Sequence, residues 1–240
     1  MWIKKLPDFI LFSSIFISSC AVALCIETNI LLGLPLNQTS FYCFVFGATL
    51  AQYNLHYLVK TVAIENSERL AWSQKNKGLH LALLIVGSVL ILFSFFSFHL
   101  KHFIILLGLG GVSFLYSFPF LPFGKKKRIK DYGSLKILTI TFLWTVVTVW
   151  FPVNSMPFDT GLFWLVFAKR FVFMFVLCLL FDIRDIEIDG KEKINTLAVK
   201  LGHKKSYLLA YFSLLLFVAF AVAQYYYLPQ FGYLIAMLIS

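Results

Sequence analysis

The sequence contains little charge. Only 13% of its 240 residues are Asp, Glu, Lys or Arg, about half of the roughly 25% usual in a soluble domain, and this excludes an ordinary water-soluble enzyme. Disorder is excluded as well, because 60% of the chain is hydrophobic and 28 residues are Phe. The four cysteines lie inside apolar stretches without metal-type spacing, which argues against a zinc site and a disulfide framework. The composition predicts a membrane protein.

Apolar runs that could cross a bilayer recur along the chain. A helix needs roughly 20 mostly apolar residues to cross, and about eight such runs are bounded by charges and turn residues. They are approximately Phe9–Ile26, Leu36–Val59, Leu79–Phe98, Phe103–Phe123, Leu135–Pro152, Gly161–Phe181, Tyr207–Ala223 and Tyr225–Ser240. We expect the first run to stay in the protein as a helix rather than to be removed as a signal peptide. The sequence thus predicts one all-α membrane domain over residues 1–240.

The distribution of positive charge predicts the orientation in the membrane. The chain has 21 Lys and Arg against 11 Asp and Glu, an excess that in a soluble protein would suggest nucleic-acid binding. Here the cations cluster in short loops between apolar runs, so we expect no nucleic-acid partner. With the N-terminus inside, every cation except Lys101, Lys169 and Arg170 falls in the chain's cytoplasmic loops or ends, as positive residues prefer. We therefore expect a multi-pass protein with a cytoplasmic N-terminus, which suits a bacterial inner membrane.

Acidic residues are concentrated after the sixth run. Five of the 11 lie within residues 182–192, and if the helix continues, Asp182, Asp185 and Asp189 share one face. Like charges at this spacing repel unless something positive neutralises them. Mg²⁺ is one candidate, because oxygen ligands without His or Cys suit it. An ordinary surface network with nearby basic residues is the other: Arg184, Lys191 and Lys193.

Other polar residues lie within or beside apolar runs. Lys169 and Arg170 fall inside the sixth run, where a cation usually faces a bundle interior; we expect only one of them to face inward, unless the helix begins after Arg170. Near the end of the second run, Asn54 could line a polar cavity or hydrogen-bond to a neighbouring helix. The basic loop at 124–130 could set the orientation of the protein in the membrane, contact anionic lipid headgroups or bind a diphosphate.

The acidic segment and the residues that follow it resemble a known family. Residues 181–189 (FDIRDIEID) and 194–202 (INTLAVKLG) closely resemble the second aspartate-rich motif and downstream signature of the UbiA superfamily of intramembrane prenyltransferases. The segments 116–119 (YSFP) and 135–137 (LKI) are also similar to that family. The resemblance implies a helical bundle around a central cavity. It further implies aspartate motifs at the cytoplasmic mouth that hold Mg²⁺ against the diphosphate of a polyprenyl donor.

The resemblance also assigns roles to residues. It implies that Asp182, Asp185 and Asp189 are the catalytic Mg²⁺ ligands. The residues that would contact substrate are Asn54, Lys60, Tyr116, Lys125, Lys126, Arg128, Arg170 and Arg184. The chain departs from the family where two Asp should follow Asn54 at four-residue spacings, since Leu58 and Val62 stand there. Phe120 likewise stands where the family has a lysine.

These features favour a Mg²⁺-dependent transfer of a prenyl group from a polyprenyl diphosphate to an aromatic or lipid acceptor. Membrane lipids would surround the protein. The alternative is a non-catalytic UbiA-like protein that binds an isoprenoid lipid or a membrane partner. A transporter would account for the intramembrane cations, but no inverted repeat or pair of broken helices is evident.

Overall fold

The structure, a computed structural model, describes residues 2–59, 68–96, 98, 100–117, 133–153, 159–191 and 194–227. Over these residues all regular structure is helical, as predicted. The helices are α1 (Trp2–Phe12), α2 (Ile15–Leu31), α3 (Thr39–Val59), α4 (Glu68–Lys75), α5 (Lys77–Phe95), α6 (Leu100–Ser117), α7 (Gly133–Thr145), α8 (Thr160–Arg184), α9 (Ile186–Lys191) and α10 (Leu197–Tyr227). A π-helical turn, Val146–Trp150, extends α7.

The chain divides into two compact units. Unit 1 comprises Met1–Ile30 and Pro35–His99, and unit 2 comprises Leu31–Leu34 and Leu100–Ser240. The expectation of a single domain over residues 1–240 stays a prediction.

In unit 1, α3 packs along α5 through two glycines. A Cβ atom on Gly87 would lie 2.6 Å from the carbonyl oxygen of Gly47, and a Cβ on Gly47 would lie 2.8 Å from the carbonyl oxygen of Gly87. Small residues let two helix backbones approach this closely, which is common between helices in membranes. This contact fixes α3 against α5.

The first predicted run is wrong as a single helix. The chain breaks between Phe12 and Ile15, where Ser14 adopts a φ of 68°, a left-handed conformation that does not continue a right-handed helix. Helices α1 and α2 lie on either side of the break. A run of apolar residues conceals such a break, because serine is tolerated in helices and carries no charge.

In unit 2, α8 packs against both α7 and α10. Helix α8 begins where Asp159 accepts a hydrogen bond on Oδ1 from the backbone N–H of Leu162, at 3.0 Å, because a short acidic side chain satisfies a backbone donor at a helix start. Helix α10 contains a bend at Gly202, whose φ is 74°. The predicted boundary at Gln224 is wrong, since α10 runs through it to Tyr227.

Four helices in the described part of the chain are long and apolar enough to cross a membrane. They are Lys77–Phe95, Gly133–Trp150, Thr160–Arg184 and Leu197–Tyr227. Two shorter apolar helices are Ile15–Leu31 and His102–Ser113. Four of the eight predicted runs therefore coincide wholly or largely with candidate spans. Much of the last run, residues 228–240, lies outside the described residues.

Candidate active site

The candidate site lies in unit 2, where α7, α8, α9 and α10 meet. An apolar cluster of Ile137, Leu179, Ile183 and Ala198 packs α7, α8 and α10 together, and Ile186 of α9 packs against it. Two of these residues are sequence neighbours of charged ones, because Ile137 follows Lys136 and Ile183 follows Asp182. When the apolar side chains pack into the core, the adjacent charged side chains are fixed at its edge.

Asp182 forms an ion pair with a lysine on the neighbouring helix. The ammonium of Lys136 donates a hydrogen bond to Asp182 Oδ1 at 3.0 Å, and the Asp182 side chain is only 7% exposed. The other carboxylate oxygen, Oδ2, is buried and has no hydrogen-bond partner among the described residues. Burial of a carboxylate oxygen without a partner is costly, so this oxygen is suited to bind a cation.

Asp185 lies at an interruption of the helix. It is the residue between α8 and α9, with φ −96° and ψ 10°, so the acidic stretch does not form the single helix considered from the sequence. Both of its carboxylate oxygens accept hydrogen bonds from the guanidinium of Arg184, at 2.7 and 2.9 Å. The Arg184 side chain is 67% exposed. Asp185 and Arg184 therefore neutralise each other at the surface.

Asp189, on α9, is held by the segment that leads into α10. The backbone N–H of Ile194 donates to the Asp189 carbonyl oxygen at 2.8 Å, and the nearby Thr196 hydroxyl lowers the pKa of the Asp189 carboxyl group. Thr196 also caps α10, since its Oγ1 accepts a hydrogen bond from the N–H of Val199. Asp189 Oδ2 is buried and has no hydrogen-bond partner among the described residues.

Opposing influences act on the pKa of Asp189. Burial is the largest and raises the pKa of this carboxyl group above its usual value. The ammonium of Lys136 and the Thr196 hydroxyl lower the pKa, whereas the charges of Asp182 and Asp185 raise it. The charge of Asp182 is therefore felt at the Asp189 carboxyl group, because a like charge nearby disfavours ionisation.

A Mg²⁺ ion at this site would have few protein ligands, and substrate phosphates and water would complete its coordination. Among the described residues no group of three or more His, Cys, Asp or Glu side chains is placed to hold a metal. Asp182 and Asp189 nevertheless each present one buried carboxylate oxygen without a partner. Mg²⁺ is usually held by one or two carboxylates together with substrate phosphates and water, so these two oxygens suit the role of its protein ligands.

The cations within α8 are both buried, with Lys169 2% and Arg170 3% exposed. The expectation that only one of them faces inward is wrong, and so is the alternative of a helix that begins after Arg170, because α8 starts at Thr160. The Lys169 ammonium donates a hydrogen bond to the side-chain oxygen of Gln224, itself buried on α10. A cation in an apolar helix is buried at acceptable cost when polar groups solvate it.

Asn54 lies in unit 1 and is completely buried. Its amide nitrogen donates to the carbonyl oxygens of Ser13 and Leu50, at 3.1 and 2.8 Å. Its Oδ1 lies 2.6 Å from Nδ1 of His80, and since an amide oxygen only accepts, His80 carries the proton on Nδ1. The structure thus gives Asn54 the second role considered from the sequence, hydrogen bonding between helices.

The remaining predicted substrate contacts cannot be placed. Lys60, Lys125, Lys126 and Arg128 lie outside the described residues, and the side chain of Tyr116, on α6, does too. Reasoning from the sequence assigned no role to Lys136, Thr196 or Gln224. A sequence signal existed for Lys136, a cation at the start of an apolar run, but its pairing with Asp182 depends on how α7 packs against α8.

These features define a class of protein: an all-helical integral membrane protein with a buried pair of carboxylates where four helices meet. The family model of the UbiA prenyltransferase family matches residues 74–240, more than half of the chain. The chain therefore belongs to the UbiA prenyltransferase family, and its general function is of the membrane prenyltransferase type. No curated protein and no solved structure gives a significant match. The matched region contains the carboxylate pair, whereas Asn54 and Lys60 precede it.

Proposed function

We propose that the protein transfers a prenyl group from a polyprenyl diphosphate to a hydrophobic acceptor, aromatic or lipid, in a Mg²⁺-dependent reaction within the membrane. The observation that carries the proposal is the pair of buried, unpartnered oxygens on Asp182 and Asp189, in a chain of the UbiA family. The proposed setting is the inner membrane of a bacterium, with the N-terminus in the cytoplasm.

In this reaction the bond between the first prenyl carbon and the diphosphate oxygen breaks, and the electron pair leaves with the diphosphate. The prenyl carbon then bonds to the acceptor, which gives up a proton. Mg²⁺ held by Asp182 and Asp189 would neutralise the charge that develops on the leaving diphosphate. Lys136 holds one oxygen of Asp182 in an ion pair, so that the buried Oδ2 would be left to bind the ion.

The other site residues stay proposals that rest on the resemblance. Lys60, Lys125, Lys126 and Arg128 would contact the diphosphate, as would Tyr116. Arg170 would supply an internal positive charge. Asp185 and Arg184 pair with each other, and in this proposal they limit the charge at the mouth of the site.

The test is diphosphate release by detergent-purified protein from prenyl diphosphates of several chain lengths, with mixed aromatic and lipid acceptors. Release should require Mg²⁺ and stop with excess EDTA. Asp182→Asn should abolish it, while Glu187→Gln should not, because Glu187 lies on the neighbouring α9 and is exposed. Release that is insensitive to EDTA and to Asp182→Asn would refute the proposal.

One observation favours a second function, binding of an isoprenoid lipid without catalysis. The described residues contain no cluster of three metal-ligating side chains, and Leu58 and Val62 replace the acids that the family pattern requires after Asn54. Folded protein that binds prenyl lipids equally with and without Mg²⁺, and releases no diphosphate, would establish this function instead.

A further inference from the structure

Lys136 is placed to act on both carboxylates of the candidate site. Its ammonium lies 3.0 Å from Asp182 Oδ1. It is also the strongest of the charges acting on Asp189, where it opposes the effect of burial on the pKa. A single side chain on α7 therefore supplies positive charge to acidic residues on α8 and α9.

The position of Lys136 is fixed by the start of its helix. Gly133, the first residue of α7, packs directly on the backbone of Asn195 and Thr196, and a Cβ atom at Gly133 would lie only 1.5 Å from the Asn195 carbonyl oxygen. Only glycine fits this contact. Lys136 follows three residues later, so the segment that holds Asp189 and the helix that carries Lys136 are held together.

The charges of the site nearly cancel before any metal binds. Asp185 is neutralised by the two hydrogen bonds from Arg184. Lys136 offsets one of the two remaining carboxylates, so the group of five side chains carries a formal charge of minus one. One divalent cation would bring it to plus one, which attracts a diphosphate. Two would bring it to plus three in a largely buried site, which the few ligands present could not stabilise.

We infer that Lys136 serves as a built-in counter-cation, so that the Asp182–Asp189 pair takes one divalent cation and not two. The inference rests on the proposed function for its purpose, but it concerns metal binding and is tested without substrate. In this proposal a permanent ammonium replaces part of the positive charge that a second ion would bring, in a chain that has Leu58 and Val62 in place of the acids after Asn54.

The experiment counts Mn²⁺ bound to the detergent-purified protein without substrate, using the electron paramagnetic resonance signal of free Mn²⁺. The wild type should bind one Mn²⁺ per chain, with binding lost in Asp182→Asn. Lys136→Gln removes a positive charge beside the ligands and should tighten Mn²⁺ binding about tenfold or more. Lys136→Arg keeps the charge and should stay within about threefold of the wild type. Lys204→Gln, an exposed change on α10, should have no effect.

Two Mn²⁺ ions, or none, per wild-type chain would overturn the inference, whether or not the variants fold. Unchanged or weaker binding in folded Lys136→Gln would overturn it too. If Lys136→Gln does not fold, Lys136→Met takes its place, with the same expectation. Diphosphate release is measured separately: release by a wild type that fails the Mn²⁺ tests would leave the proposed function intact, whereas absent release would refute the function and leave the binding result standing.

Discussion

The two units contain polar clusters of opposite character. In unit 1, Asn54 uses both amide hydrogens and its oxygen on Ser13, Leu50 and His80, so the cluster has no unused capacity at the amide. In unit 2, Asp182 binds Lys136 through one oxygen, and Asp182 and Asp189 each have a buried carboxylate oxygen without a partner among the described residues. Hydrogen-bonded polar groups hold helices together, whereas a buried carboxylate oxygen without a partner is suited to accept a cation. The comparison supports an architectural role for the Asn54 amide and the proposed metal-binding role for the two carboxylates.

The largest expected effect is that of Asp182→Asn. The substitution removes a proposed Mg²⁺ ligand and the partner of Lys136, and we expect diphosphate release to fall roughly 1,000-fold. The protein should remain folded, since Lys136 is 28% exposed and can turn to water. Single-turnover release measures the effect, with Glu187→Gln as the matched acid-to-amide control. A fall in diphosphate release of less than tenfold would show that the Asp182 carboxylate is no more important for the chemistry than the Asn54 cluster.

Asn54→Ala should act on stability. It leaves two carbonyl oxygens and the Nδ1–H of His80 without their partner in a buried site, and we expect a loss of about 3 kcal/mol. Thermal unfolding in detergent measures this loss. Gln52→Ala, an exposed amide-to-alanine change on the same helix α3, should cost less than about 0.5 kcal/mol. Equal effects of the two changes would show that the Asn54 cluster does not hold unit 1 together.

Asp189→Asn should stabilise the metal-free protein at neutral pH, by about 1 kcal/mol, because it removes a buried charge. Burial raises the pKa of Asp189 in the native state, so the native state keeps a proton that the unfolded chain has already lost. The protonated Asp189 carboxyl group therefore contributes fully to the stability of the wild type below pH 3.8, the usual pKa of an Asp. This contribution is lost as the pH rises through the raised pKa of the native state. Below pH 3.8 the two proteins should not differ.

Thermal unfolding across this pH range, in EDTA, measures the effect of Asp189→Asn. Added Mg²⁺ should reverse the order at neutral pH, because the wild type gains a bound ion and the variant does not. A variant that is less stable than the wild type in EDTA at neutral pH would show that Asp189 is a structural group like Asn54.

The smallest effect is expected for Arg184→Gln. Its ion pair with Asp185 is largely exposed, and exposed pairs contribute at most about 1 kcal/mol. We expect less than about 0.5 kcal/mol in unfolding and less than about threefold in diphosphate release. A loss of release above tenfold would place Arg184 on the substrate, as the resemblance to the family implies, and would extend the chemical site to the surface.

The helical fold and the acidic motif could be predicted from the sequence because both are local patterns. Apolar runs predicted α3, α5 and α8 closely, and the motif at 181–189 identified the family that the match to residues 74–240 confirms. The break at Ser14 could not be predicted, because serine neither forbids a helix nor marks its end. The continuity of α10 through Gln224 was concealed, since a polar residue within a helix looks like a boundary until its partner, Lys169, is known.

The site was predicted only as a set of acids. Its counter-charge could not be predicted, because Lys136 precedes Asp182 by 46 residues and they meet only when α7 packs on α8. Similarly, the spacing of the three aspartates suggested equal roles. The turn at Asp185 instead places that carboxyl group against Arg184, and the choice of Asp182 and Asp189 alone as metal ligands is part of the proposed function.

The most direct test of the division between the two clusters is Mg²⁺-dependent diphosphate release measured side by side in Asn54→Ala, Asp182→Asn and the wild type, each normalised to folded protein. Folded Asn54→Ala should keep release within about threefold of the wild type, whereas Asp182→Asn should lose it. Loss of release in folded Asn54→Ala, with release retained in Asp182→Asn, would contradict the assignment of the chemistry to unit 2.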